Sequence, residues 1–134
     1  MSTLVELATR LATNAVIGQI TSPATIFQGP MPMTPDACVS VRRYGGGGVE
    51  RAMGTSSTPV ADSIHFQILV RDAAQSAGET KIAAILTALD NYSGTLGSTR
   101  YLLISLMYGP VDMGRDESNR FVWSLNFRAL KARS

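Results

Sequence analysis

Residues 62–91 read DSIHFQILVRDAAQSAGETKIAAILTALDN, and this stretch decides the fold. Between residues 64 and 71 the side chains alternate between two faces of an extended chain. A period of two, rich in β-branched and aromatic residues, is typical of a β-strand. The apolar face, which we expect to be buried, carries Ile64, Phe66, Ile68 and Val70.

The second half of the stretch predicts an amphipathic helix. Asp72 can cap the free N–H groups of a helix start, and Gln75 three residues later would complete a capping box. Ala74, Ala77 and Gly78 are small, so the first half of the helix could lie close to a sheet. The apolar stripe at helical spacing contains Gly78, Ile82, Ile85, Leu86 and Leu89.

The chain before this stretch predicts one helix and two short strands. Thr3 and Glu6 fit a capping box for a first helix that should end near Gly18. Strands are predicted at residues 25–27 and 37–41, separated by prolines. The stripe of the first helix contains Leu4, Leu7, Ala8, Leu11 and Ala15.

Residues 45–61 consist mostly of glycine, serine, threonine and proline with few apolar side chains. Connections longer than about 12–15 residues without their own structure are uncommon and usually functional or mobile. We therefore expect a projecting hairpin, or an arm that becomes ordered against a partner.

The C-terminal part predicts a strand pair. Residues 91–98 should form a polar loop with a short extended piece at 95–96. A strand at residues 101–108 should end at Gly109 and Pro110, and a charged turn should follow at 112–119. A last strand at 121–130 should pair with it as an antiparallel hairpin.

The predicted fold class is therefore α+β, with a mostly antiparallel or mixed β-sheet, two helices packed on it and one long loop or hairpin. The length of 134 residues predicts a single domain spanning 1–134.

Composition limits the function classes. Charged residues make up 16% of the chain and hydrophobic ones 45%, so we expect part of the surface to be covered by another subunit. The net charge of +2 argues against nucleic acid or membrane as the main partner. Cys38 is the only cysteine, which favours a reducing cytoplasm, and no segment predicts a membrane span or signal peptide.

The candidate catalytic groups lack partners in the sequence. His65 is the only histidine and has no Cys/His cluster around it, so we interpret it as a structural or surface residue. Cys38 lies in a short apolar strand and reads as a buried small hydrophobe. Trp123 and Phe127 are interpreted as core residues. We predict neither an enzyme nor a cofactor or metal site, with a small hydrolase using His65 as the least favoured alternative.

A set of short segments follows one another along the chain: 29–32, 35–39, 44–46, 70–72, 109–110, 114–117 with Arg120, and 126–127. In this order they resemble the tail terminator proteins of long-tailed bacteriophages, which are also labelled minor capsid or tail completion proteins. One position departs from the pattern, because Ser118 and Asn119 stand where an Asn-Gly-like turn is expected. The two residues allow a similar turn with more strain.

The resemblance implies a structural virion protein that forms a ring, expected to be a hexamer, at the head-proximal end of the tail tube. Such a ring would stop tube polymerisation and join the tail to a head connector or stopper protein. DNA would pass through it without specific binding. Assembly would take place in the host cytoplasm, without a cofactor or a membrane.

Charged residues are dense at strand ends in this sparsely charged chain, and we hypothesise that they make contacts between subunits or within the neck. The alternative is that they are solvated turn residues. The candidate interface residues are Tyr44, Gly46, Arg51, Arg71, Arg115, Asp116, Glu117 and Arg120.

Two other functions stay open at this point. A head-side neck protein, a connector or a stopper, would have a similar size and ring symmetry. A nucleic-acid-binding module is the second, although specific binding needs a stronger basic footprint than this chain carries.

Overall fold

The computed structural model describes residues 3–43, 49–51 and 59–132, and for residues 49–51 and 59–61 it describes the backbone alone. Within these residues two helices and seven strands follow one another along the chain. They are α1 (Thr3–Ala12), β1 (Ile26–Gln28), β2 (Cys38–Arg43), β3 (Val49–Arg51), β4 (Pro59–Asp72), α2 (Gln75–Leu89), β5 (Tyr92–Leu96), β6 (Thr99–Arg115) and β7 (Phe121–Ala132).

The strands form one mixed sheet in the order β1-β2-β4-β7-β6-β5, with β3 paired to the first part of β4. Only the β1–β2 pair is parallel, and the other pairs are antiparallel. The α+β prediction is confirmed. The predicted pairing of the last two strands is confirmed as well, since β6 lies beside β7.

Both helices pack on the same face of this sheet. The predicted inward face of β4 is buried, and its Phe66 ring stacks on Phe127 of β7 with 5.3 Å between the ring centroids. Trp123 and Phe127 are core residues, as predicted. A Cβ atom on Gly78 would lie 2.1 Å from Cζ3 of Trp123, so the thin start of α2 is what lets the indole fit.

The predicted cap of α2 is wrong. Asp72 is the last residue of β4, where it pairs with Phe121. The chain bends at residues 73–74, and α2 begins at Gln75. No side chain caps this helix start. The Asp72 carboxylate instead accepts from the Ala74 N–H at 3.0 Å and forms a 2.9 Å ion pair with Lys81. The long pairing of β4 with β7 extends the strand through the residue that local sequence assigns to the helix.

The first helix also differs from its prediction. It ends at Ala12 rather than near Gly18, because Thr13 and Asn14 close tight turns onto the carbonyls of Arg10 and Leu11. The expected capping box is absent too. The carboxylate of Glu6 faces the sheet, where it accepts hydrogen bonds from Tyr101 and Thr99, both at 2.9 Å.

The predicted end of the strand at Gly109 and Pro110 is wrong. β6 continues to Arg115, with irregular register, because β7 offers it partners as far as Phe121. Gly109 has φ +108°, and an added Cβ would lie 2.7 Å from the Ser124 carbonyl oxygen, so this position needs glycine. The charged turn shrinks to residues 116–119, and most of the predicted polar loop at 91–98 forms β5.

The long Gly/Ser/Thr/Pro connection is partly described. Residues 49–51 pair antiparallel with β4 from Pro59 to Asp62, as in a hairpin. The remaining residues of this connection, 45–48 and 52–58, lie outside the described part of the chain. Neither helix of the described residues is long and apolar enough to cross a membrane.

Candidate assembly surfaces

The predicted charged residues gather at one end of the sheet, where β4 ends and β7 begins. Arg71 is 5% exposed and lies on the face of β4 opposite the helices, beside Cys38 of β2. Its guanidinium donates to the carbonyl oxygens of Pro35 at 2.6 Å and Asp36 at 3.2 Å. Arg71 therefore fixes the loop that leads into β2.

Arg120 holds the same loop from the other side. Its buried guanidinium donates to the Met33 carbonyl at 2.6 Å and to the carboxylates of Asp116 at 2.8 Å and Asp36 at 3.3 Å. Since its hydrogen bonds are made within the chain, we expect a change at Arg120 to disturb the fold of the monomer as well as any contact outside it.

The turn at residues 116–119 is organised by the Asp116 carboxylate. The carboxylate accepts hydrogen bonds from the backbone N–H groups of Ser118 and Arg120. The backbone carbonyl of Asp116 accepts a hydrogen bond from the N–H of Asn119. The backbone N–H and guanidinium of Arg120 lower the pKa of Asp116, although its partial desolvation acts in the opposite sense. Asn119 adopts φ +63°, which is the more strained turn expected from a sequence without glycine here.

Arg115 and Glu117 are the exposed members of this end. The Arg115 guanidinium lies 4.4 Å from the centre of the Phe121 ring and donates to the Asn119 side chain. The structure thus brings together five of the eight predicted interface residues. Tyr44 and Gly46 lie outside the described residues, and for Arg51 only the backbone, in β3, is described. The interface role of all eight stays a prediction.

A second surface, which we did not predict from the sequence, lies along β6. β5 pairs with β6 only up to Ile104, so the later part of β6 is an edge of the described sheet. Residues 101–111 carry no charged side chain. We call this surface the β6 rim; its exposed apolar side chains are Leu102, Leu103, Met107, Tyr108 and Met113. The absence of charge over so many residues was the available signal.

A third surface lies at the opposite edge of the sheet, where residues 12–25 connect α1 to β1. The Gln19 carbonyl accepts the N–H groups of Thr25 and Ile26, so this connection runs beside β1. It encloses an open groove of about 370 Å³, and Val16 and Ile20 are exposed at 50% and 41%. We call this surface the α1–β1 groove; it is lined by Ala12, Ala15, Gly18, Gln19 and Thr25.

The remaining candidates for chemistry are Cys38, His65 and a metal site. Cys38 is a buried free cysteine, as predicted, and desolvation raises the pKa of its thiol. His65 is half-buried on the face of β4 away from the helices. The described residues contain no cluster of three or more His, Cys, Asp or Glu side chains that could hold a metal ion.

The comparison with protein families identifies the chain. The family model of the bacteriophage tail terminator protein matches residues 14–133, which is most of the sequence. The chain belongs to the bacteriophage tail terminator family. This tail terminator is therefore a structural, tail-associated phage protein, as the resemblance implied.

Solved structures support the fold of this tail terminator. A chain from the virion of a native gene transfer agent particle superposes with a TM-score of 0.67 at 18% identity, covering 98% of this chain and 96% of that one. A second solved protein reaches a TM-score of 0.54 at 13% identity, covering 95% and 94%. No curated protein matches the sequence.

Proposed function

We propose that this tail terminator forms a closed ring of copies, expected to be six, at the head-proximal end of the tail tube. The ring stops further polymerisation of the tube protein and offers its other side to a head connector or stopper protein. DNA passes through the ring without sequence-specific contacts. The protein acts by shape, as a component of the virion, and carries out no chemical reaction.

The β6 rim is the observation that carries this proposal. A cluster of buried hydrophobic residues forms the core, yet large apolar side chains remain exposed along β6, with Met107 at 58% and Tyr108 at 66%. Contiguous exposed apolar surface on a small protein marks a binding site for another macromolecule. Methionine and tyrosine are also enriched, and charged residues depleted, in the centres of protein interfaces.

The charged end of the sheet has a complementary role in this proposal. Arg115 and Glu117 are exposed beside a turn whose geometry Asp116 fixes. Rigid exposed charges of both signs favour a specific orientation between partners more than they add affinity. We assign Arg115 and Glu117 to contacts with the tube or the neck, while Arg71 and Arg120 hold the loop behind them.

Electron microscopy of particles assembled without this chain tests the proposal. Loss of a terminator should give tails longer than normal and of variable length, because nothing stops the tube. Tails of normal length on heads that leak DNA would instead identify a head-side stopper.

Variants refine the same test. Met107→Asp places a charge on the β6 rim and should reproduce the overlong tails. Thr80→Asp, on the exposed side of α2, is the matched control and should leave tail length unchanged. Normal tails with both variants would remove the rim from the assembly surface.

A further inference from the structure

Two uncharged surfaces lie at opposite edges of the sheet. The α1–β1 groove adjoins β1, the first strand in the sheet order. The β6 rim lies toward the other side of the sheet and extends past Ile104, where the pairing of β6 with β5 ends. Residues 11–35 contain no charged side chain, and neither do residues 101–111. The two surfaces differ in residues and shape, so neither can be a copy of the other.

The two surfaces also complement each other in shape and polarity. The groove is an open concavity of about 370 Å³ lined by small side chains and Gln19, whereas Met107 and Tyr108 project from the rim. Residues 101–111 and the groove lining carry no charge, so bringing them together removes none of their own ions from water. The exposed Asp90 carboxylate, which accepts the Leu106 N–H at 3.0 Å, is a charged group that borders the rim. A flexible methionine adapts to an irregular concavity of this kind.

We propose that the β6 rim of one copy docks into the α1–β1 groove of the next copy. This assignment rests on the proposed ring and names its subunit contact. Head-to-tail rings need two different patches on each chain, facing in different directions, so that the same contact repeats until the ring closes. Because the repeated contact of a ring uses both patches of every chain, a second copy of this chain is the occupant that accounts for both.

A pair of complementary variants tests the contact. Met107→Asp disables the rim and Ala15→Asp, at an exposed residue of the groove lining, disables the groove, each by placing a new charge in the contact. Each variant alone should associate at least about tenfold more weakly than the natural chain in sedimentation velocity, since an unpaired buried charge costs more than ~1.4 kcal/mol. Mixed in equal amounts, the two should form one-to-one dimers that grow no further, because each dimer uses the only intact rim and the only intact groove. The Thr80→Asp control should associate as the natural chain does.

Cross-linking inside assembled particles gives a second readout, which applies even if the free chain is monomeric. A double variant with Met107→Cys and Ala15→Cys, treated with a short bifunctional maleimide, should give a ladder of linked copies on a denaturing gel. Each single variant should give none, because the native Cys38 is buried. A double variant with normal tail length and no ladder would overturn the rim–groove contact while leaving the ring proposal intact. Where the natural chain associates in solution, full association of both Asp variants, or a mixture in which the copies stay separate, would overturn it as well.

Discussion

The variant Arg71→Met tests whether Arg71 stabilises the fold of the monomer rather than contacting a partner. The substitution keeps a long side chain against the sheet but removes the guanidinium that donates to the carbonyls of Pro35 and Asp36. The local pairing of β4 with β2 should persist, because it uses the backbone. What the variant loses is the link between the sheet and the loop before β2.

The expected loss follows from the two hydrogen bonds. A hydrogen bond to a charged group contributes roughly 1.5–3 kcal/mol when its partner is kept from water. The shorter bond, to Pro35, should count fully, whereas Asp36 is exposed and its carbonyl regains water in the variant. We therefore expect Arg71→Met to lower the free energy of unfolding by about 2–3 kcal/mol.

Urea denaturation followed by circular dichroism, at a concentration where the chain is monomeric, measures this loss. With a dependence of roughly 1–3 kcal/mol per molar urea, the midpoint should fall by about 0.7–3 M. Arg42→Met is the matched control on the same face of the sheet. Arg42 is exposed and bonds only to the Gln67 side chain among the contacts described for it, so its loss should stay within about 0.5 kcal/mol. Equal midpoints for the two variants would refute the anchoring role of Arg71.

Three further variants test other parts of the structure. Gly78→Val should lower the melting temperature by several degrees, because the new side chain would overlap the Trp123 ring; an unchanged melting curve would mean that α2 is not held this close. Tyr101→Phe should lower the free energy of unfolding, measured in urea, by ~2 kcal/mol, because the Glu6 carboxylate loses a buried hydrogen-bond donor. Burial raises the pKa of Tyr101, so the unfolded chain loses this proton at lower pH than the folded chain does. The natural protein should therefore lose stability above about pH 10, and Tyr101→Phe should lack that part of the decline. The same dependence of stability on alkaline pH in both proteins would contradict this. Arg115→Glu should leave the free energy of unfolding in urea within about 0.5 kcal/mol of the natural value while reducing the number of tails joined to heads. Fully joined tails would remove Arg115 from the contact.

The parts of the fold that could be predicted are those in which local pattern and tertiary packing agree. The alternation from Ile64 to Val70 and the stripe from Gly78 to Leu89 both mark buried faces, because one side of each element lies on the core. The small residues at the start of α2 also predicted its close approach to the sheet, which the Trp123 contact explains.

The mispredicted boundaries share one cause. Asp72 and Pro110 carry strong local signals for a helix start and a strand end, but pairing with β7 continues past both. Pro110 is tolerated because β6 is at an edge there, where a missing N–H costs no ladder bond on the open side. Long-range pairing of this kind leaves no trace in a short window of sequence.

The candidate surfaces were predictable only in part. Charge density marked the correct end of the sheet, yet it could not show that Arg71 and Arg120 turn inward to backbone carbonyls of a loop far away in sequence. The β6 rim was hidden by its hydrophobicity, since an apolar strand reads as buried until its neighbours are known. Only the strand order shows that β5 stops at Ile104 and leaves the rest of β6 uncovered.

A density map of the head-proximal end of the assembled tail tests the central claim most directly. We expect several copies of this chain in a closed ring on the last layer of tube protein, with Met107 of each copy facing Ala15 of the next. A single copy per particle, or copies located on the head side without contact to the tube, would contradict it.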